Sequence, residues 1–128
     1  MKTNTTMVYD NAIDYAIDKE LDNMENNTVM YIVYTDSTYG EFYKFDMLND
    51  AMAFMHKNNM DNSLLYVYDE SKVSNALQDD SFFEHINSAE YDRFDLNSRI
   101  ARNAKKRLDY WLKKANITIQ DWDLWCTL

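Results

Sequence analysis

The sequence predicts an α+β fold, with an acidic N-terminal helix, a small β-β-α-β sheet core and a helical C-terminal part. Three observations predict it. Apolar residues recur at helical spacing near both ends of the chain, short β-branched and aromatic runs lie between them, and Asn-rich junctions separate the segments. A length of 128 residues suits a single domain, 1–128, and a hydrophobic fraction of 46% excludes an intrinsically disordered chain.

The N-terminal helix is predicted over residues 7–25, where apolar side chains share one face, and the Asn26-Asn27 pair ends it. Aspartates recur at every fourth position beside that face, although like charges at this spacing destabilise a helix. We call these four aspartates, together with the glutamate that follows them, the acidic row: Asp10, Asp14, Asp18, Asp22 and Glu25.

A β-hairpin follows in the prediction. The runs 28–35 and 41–45 are rich in β-branched and aromatic residues, which favour strands. The turn between them contains Gly40, the single glycine of the chain, and we expect this residue to supply the positive φ of the turn.

A helix over 47–58, with Asp46 as its cap, and a third strand over 64–68 complete the predicted core. Because a helix connects the second strand to the third, these two strands are expected to run parallel.

Two short helices are predicted within 69–94, with Ser81 and Glu84 as a capping box. The longest helix is predicted over 96–115, with Asp95 as its cap and a continuous apolar arc along one side.

A short closing helix over 119–126 is expected, because Thr118 and Asp121 form a second capping-box pattern immediately before it.

Charge divides the chain into an acidic part, 1–92, and a basic helical part, 93–128. The first holds 5 Lys/Arg and 18 Asp/Glu, a net of −13, and the second holds 8 Lys/Arg and 4 Asp/Glu, a net of +4. This asymmetry indicates either an electrostatic partner or an internal pairing of the two parts.

Several classes of protein are disfavoured. The single cysteine, Cys126, cannot form an internal disulfide, no apolar run is long enough for a membrane span, and the first residues lack the apolar region of a signal peptide. We therefore expect a cytoplasmic protein without a membrane partner.

Catalytic and cofactor chemistry find little support in the sequence. His56, His85 and Cys126 do not show the close spacing of metal ligands, and a chain with one glycine cannot build a Gly-rich phosphate loop. We expect no catalytic residues, no metal and no cofactor, and hence no enzyme.

The acidic row is the first candidate for a binding site. Its carboxylates rise about 6 Å per step along a helix and can imitate the phosphates of a DNA strand. Residues 7–16 resemble the opening helix of Ocr-type phage antirestriction proteins, which mimic DNA. The matching positions are Met7, Tyr9, Asn11, Asp14 and Ala16. The resemblance implies acids that face a DNA-binding groove.

The leading hypothesis is therefore a non-enzymatic, phage-type inhibitor that acts in the host cytoplasm. Its expected partner is a host nucleic-acid-binding protein of the restriction or CRISPR effector type. In its general character, small, acidic and free of proline, the chain is also similar to phage-encoded anti-CRISPR proteins.

Two alternatives stay open. The chain is either a nucleic-acid-binding accessory protein, although its net charge of −9 opposes this, or an assembly protein that forms a homodimer through its tryptophan-rich C-terminal region. The acidic row also has an internal alternative, the cationic face of the chain's own long helix. The residues of the proposed nucleic-acid site are Arg99, Arg102, Lys106, Tyr110 and Lys113.

Overall fold

The computed structural model describes residues 13–17 and 28–128. These residues confirm an α+β fold with a three-stranded antiparallel sheet and a helical C-terminal region. They belong to two compact units, which divide between Asp69 and Glu70. The prediction that the whole chain forms one domain is not tested by this division and stays a prediction.

The sheet lies in the first unit and has the strand order β2-β1-β3. Its strands are β1 (Val29–Tyr34), β2 (Phe42–Phe45) and β3 (Leu65–Asp69). Because β1 is antiparallel to both neighbours, β2 and β3 run in the same direction, as predicted. They are not hydrogen-bonded to each other, since β1 lies between them.

The turn of the hairpin corrects the expectation for Gly40. The positive φ, 57°, belongs to Tyr39, and Gly40 has none. Asp36 holds the turn together, because its carboxylate accepts hydrogen bonds from the backbone N–H of Thr38, at 2.9 Å, and from the Thr38 hydroxyl. These hydrogen bonds lower the pKa of Asp36 below its ordinary value.

Two helical segments pack on one face of the sheet. The first is α1, residues 13–17, and the second is α2 (Leu48–Lys57). Asp46 does not cap α2, because the cap position is Met47 and no side chain caps it. The helix ends where predicted, and Asn59 just beyond it adopts a left-handed conformation with φ of 52°.

The core of the first unit is built by alternate residues of β1. Tyr31 is fully buried, and it lies opposite Phe45 of β2 and Val67 of β3. Because side chains alternate across a strand, residues of this parity all face the helices. The buried members of the cluster are Ala16, Val29, Tyr31, Val33, Leu48, Ala51, Met55, Leu65 and Val67.

The second unit consists of four helices. They are α3 (Glu70–Ala76), α4 (Asp80–Asp92), α5 (Ser98–Lys114) and α6 (Ile119–Thr127). Two short helices before a long one, and a short helix after it, agree with the prediction. Among the described residues, no helix is both long and apolar enough to cross a bilayer.

Two of the three predicted caps in this unit are wrong. The cap of α4 is Asp79, whose carboxylate accepts from the N–H of Phe82 at 3.0 Å, and not the predicted pair Ser81 and Glu84. The cap of α5 is Asn97, two residues beyond the predicted Asp95.

The third cap is confirmed. Thr118 and Asp121 form both hydrogen bonds of a capping box at the start of α6, each of 3.1 Å.

Buried apolar side chains of all four helices, together with Ile117 between α5 and α6, form the core of the second unit. In α5 they recur at every fourth position, which gives this helix one buried face. Leu96, which the sequence placed at the start of the apolar arc, precedes the helix and is fully exposed. The buried apolar residues are Val73, Phe82, Ile86, Ala89, Ala104, Leu108, Leu112, Ile117, Trp122 and Leu124.

Candidate nucleic-acid interface

One member of the acidic row lies among the described residues. Asp14 is part of α1 and is half-buried. Asp10, Asp18, Asp22 and Glu25 lie outside the described residues. The prediction that the row faces a partner, or the chain's own basic helix, therefore stays a prediction.

The cations predicted on the longest helix do share one face of α5. With 3.6 residues per turn, the five candidate residues fall within an arc of about 80°, opposite the buried face formed by Ala104, Leu108 and Leu112. All five are exposed. We call this set the basic stripe: Arg99, Arg102, Lys106, Tyr110 and Lys113.

The five residues of the stripe project from a single helix, α5, whose two ends are well defined. Asn97 caps the N-terminus, where its side-chain oxygen accepts from the N–H groups of Arg99 and Ile100. At the other end Asn116, with φ of 59°, allows the chain to leave the helix. From Arg99 to Lys113 the stripe rises about 21 Å, the axial length of about six phosphates of one DNA strand.

Ion pairs engage other cations of this unit and leave the stripe unpaired among the described residues. Arg107 pairs with Asp92 at 3.2 Å, and Arg93 pairs with Glu90 and Asp123, each at 2.9 Å. The cations of the stripe form no salt bridge with a described carboxylate. They are therefore available to an anion from outside.

The charge of the second unit is nearly balanced, so this unit opposes an anion much less than the first unit does. Residues 70–128 hold 9 Lys/Arg and 10 Asp/Glu, a net of −1, whereas residues 1–69 hold 4 and 12, a net of −8. Within α5 itself, Asp109 is the one acid beside seven cations. The net charge of −9 thus describes the chain as a whole and not this helix.

Tyr110, the aromatic residue of the stripe, belongs to a set of rings that we call the aromatic group: Tyr110, Trp111 and His85. Its side chain is 60% exposed, and its ring meets Trp111 edge to face with 5.6 Å between centroids. Trp111 stacks on the ring of His85 with centroids 4.2 Å apart. The ammonium of Lys114 lies 4.9 Å from the centroid of the Trp111 ring.

No protein-family model, curated protein or solved structure matches this chain.

A pocket that the sequence did not predict opens beside the aromatic group. Its volume is about 510 Å³. Phe82 is buried in its floor, Trp111 is half-buried in its wall, and Lys72 and Lys114 stand exposed at its rim. Lys72 precedes Trp111 by 39 positions, so no local motif joins them and only the packing of α3, α4 and α5 brings them together. In the sequence, the one indication of this pocket was Trp111 close to Lys113 and Lys114 in α5.

Neither a metal-binding group nor an activated thiol is found among the described residues. Among residues 13–17 and 28–128, no group of three His, Cys, Asp or Glu side chains could hold a metal ion. Cys126 is exposed, but partial burial of its thiol and the charges of Glu90 and Asp123 raise its pKa to about 11. A thiol with this pKa is protonated at neutral pH and is a poor nucleophile.

The tryptophans considered for a dimer interface differ in exposure. Trp122 is only 3% exposed, and its indole N–H donates to Glu90 at 2.8 Å. It belongs to the core of its own unit. Trp111 and Trp125 are half-buried.

Proposed function

We propose that this protein is a non-enzymatic binding protein that holds the phosphate backbone of a nucleic acid along the basic stripe. One observation carries the proposal: four cations and an exposed tyrosine line a single face of a capped helix, and no described carboxylate pairs with these cations. Phosphate contacts from Lys and Arg supply most of the affinity of sequence-independent binding. An exposed aromatic side chain adds a surface on which a base stacks.

The affinity expected from this stripe is modest and salt-dependent. Each phosphate that a cation neutralises releases counterions, which contributes roughly tenfold in affinity at low salt. The chain's excess of acids opposes binding of nucleic acid, but at 0.1 M salt the Debye length is about 10 Å, so carboxylates farther than this from a bound strand repel it little. A local stripe therefore suffices when the strand lies along α5.

The experiment is a fluorescence-anisotropy titration of labelled oligonucleotides with the full chain at about 0.1 M salt, where the Debye length is about 10 Å. The variant K106Q/K113Q removes two stripe cations, and K44Q/K57Q removes two exposed lysines of the first unit as the matched control. We expect the stripe variant to bind roughly 100-fold more weakly and the control to bind like the wild type. Equal effects of the two variants, or no binding at micromolar protein, would contradict the proposal.

A second candidate is favoured by the net charge of −8 on residues 1–69. We propose as this candidate a phage-type inhibitor whose acidic row occupies the basic groove of a host restriction or CRISPR effector protein. Carboxylates in such a row gain from electrostatic steering and from the counterions that a basic groove sheds. The resemblance of residues 7–16 to Ocr-type antirestriction proteins also supports it.

This candidate is tested by a pull-down from a bacterial lysate with salt elution. Replacing the four aspartates of the acidic row by Asn should abolish the capture of a basic-groove protein. A control that replaces four exposed acids elsewhere by amides should retain it. Capture that is equal for both variants would reject the mimicry. The control positions are Glu41, Asp46, Asp50 and Glu84.

A further inference from the structure

The pocket beside the aromatic group combines an apolar floor with a cationic rim. Trp111 provides ring surface, Phe82 is an apolar lining residue that is only 5% exposed, and Lys72 and Lys114 carry the only cations among the residues that line it. Asp79 also lines the pocket; its carboxylate accepts from the N–H of Phe82 as the cap of α4 and keeps its negative charge, so two Lys and one Asp give the lining a net charge of +1. A volume of about 510 Å³ is that of a small-molecule site.

These features select a ligand that is both aromatic and anionic. The ring surface favours a flat apolar group, because stacking on a tryptophan buries apolar surface and does not depend on which base is bound. The two ammonium groups favour a phosphate, since Lys binds phosphate as a point charge. A nucleotide carries both a flat base and a phosphate, and one sugar joins them.

The pocket also adjoins the basic stripe on the same helix. Trp111 and Lys114 follow Tyr110 and Lys113 directly in α5, each turned about 100° around the helix axis from its neighbour, so a strand that leaves the stripe at the C-terminal end of the helix bends around α5 to reach the pocket. A base that is paired in a duplex is not free to enter a pocket, whereas an unpaired base is.

We propose that this pocket receives one unpaired nucleotide of a single strand, with its base on Trp111 and its phosphate between Lys72 and Lys114. This inference rests on the proposed function, because the nucleotide belongs to the strand that the stripe holds. Binding exchanges the contact of the Lys114 ammonium with the Trp111 ring for a pair with the phosphate. The exchange is favourable, since base stacking is worth more than an exposed cation–π contact.

His85 acts here as a positioning residue. Its ring stacks on Trp111, and its Nδ1 lies 2.7 Å from the carbonyl oxygen of Ser81 in the first turn of α4. These two contacts fix the tilt of the Trp111 ring against α4, and so set the orientation of the surface that the base meets.

The first test uses AMP as the probe and the indole N–H signal of Trp111 in the nuclear magnetic resonance spectrum of the full chain. Substitution W111F assigns the signal. We expect AMP to shift it in a saturable manner, and K72Q or K114Q to weaken this binding roughly tenfold, as for the loss of one charge-assisted hydrogen bond. The control K105Q, on the same helix but outside the pocket, should bind AMP like the wild type.

Adenosine and ribose 5-phosphate separate the two halves of the ligand. Each should bind more weakly than AMP, because each lacks either the phosphate or the base. If ribose 5-phosphate binds as well as AMP, the site is a phosphate site and the proposed base contact is wrong. If AMP leaves the Trp111 signal unchanged at millimolar concentration, the pocket does not take a nucleotide.

The second test compares single strands of about six nucleotides, the length that the stripe spans, with hairpins whose closed stem holds a duplex of the same length paired, in RNA and DNA forms. The wild type should prefer the single strand, and K72Q/K114Q should lower that affinity to the level of the duplex. Failure of the two ideas is distinguishable. Absence of any oligonucleotide binding by the wild type contradicts the stripe, whereas single-strand binding that K72Q/K114Q leaves unchanged contradicts the pocket.

Discussion

Glu90 of α4 accepts hydrogen bonds from two side chains of the second unit, and its removal should destabilise this unit. Its Oε1 accepts from the indole N–H of Trp122 at 2.8 Å and from Nη1 of Arg93 at 2.9 Å. The same Nη1 lies 2.9 Å from Asp123. The Glu90 side chain is 28% exposed and that of Arg93 only 13%. Burial alone would lower the pKa of Arg93, but the hydrogen bonds to Glu90 and Asp123 raise it overall.

The magnitude follows from what the variant leaves behind. In Glu90→Leu the indole N–H of Trp122 stays buried without its acceptor, which costs about 1–3 kcal/mol. Arg93 keeps Asp123 and loses one of two partners, which adds about 1 kcal/mol. We therefore expect a loss of about 3 kcal/mol in the free energy of unfolding. Glu90→Gln keeps an oxygen for Trp122 and should cost only about 1 kcal/mol.

The assay is equilibrium unfolding in urea, followed by tryptophan fluorescence. Glu84→Leu is the control on the same helix, because Glu84 is exposed and should change stability by no more than about 0.5 kcal/mol. The midpoint should fall in the order control, Gln variant, Leu variant, with an unchanged denaturant slope. Leu and Gln variants of equal stability would refute the reasoning, because the order depends on the acceptor for Trp122.

Three further predictions concern the hairpin turn and the thiol. Gly40→Ala should stabilise the protein by about 0.4–1 kcal/mol in thermal unfolding, because its φ is not positive and an added Cβ meets nothing closer than 3.8 Å; destabilisation would contradict this conformation. The lowered pKa of Asp36 contributes stability that is complete above its ordinary value of 3.8 and is lost as pH falls through the folded pKa. Thr38→Val should raise this pKa in a carboxyl NMR titration, and an unchanged midpoint would exclude the Thr38 hydroxyl as the cause. Cys126 should be alkylated by iodoacetamide at pH 8 roughly 100-fold more slowly in the native chain than in urea, because of its pKa of about 11; equal rates would reject that pKa.

Much of the fold could be predicted because local signals coincide with the elements. The strands and helices follow from the spacing of apolar residues along the chain. The left-handed conformation of Asn116 follows from the preference for Asn where one element ends and the next begins. Helix caps were harder to predict, because several polar residues compete within a few positions of each helix start. At α5, Asn97 caps the helix, and Asp95 instead accepts from the N–H of Asn97 at 2.8 Å. Only the packing of the helix decides between such neighbours.

The hairpin turn shows a different limit. A rule that assigns positive φ to glycine selects Gly40, yet Tyr39 adopts it. The Tyr39 ring meets Tyr34 edge to face with centroids 5.1 Å apart, a contact between residues five apart in sequence that offsets the local cost of the conformation. Local propensity therefore loses to an aromatic contact across the turn.

The candidate site was predictable where one helix carries it. The basic stripe needs only the 3.6-residue period of α5, so its five exposed residues could be placed on one face from the sequence, and their binding role stays a proposal. The pocket could not be found in this way, since Lys72, Phe82 and Trp111 lie on three helices. Long-range packing joins them, and one sequence carries no direct signal of it.

The central claim is that the cations of the basic stripe contact phosphates, and the salt dependence of oligonucleotide binding tests it most directly. For four phosphates on a single strand, the logarithm of the association constant should fall with the logarithm of salt concentration at a slope of about −2.8. Removing two of the four cations in K106Q/K113Q should reduce the slope to about −1.4, while K44Q/K57Q keeps the wild-type value. A slope that is the same in the wild type and in K106Q/K113Q would show that these lysines do not contact the backbone.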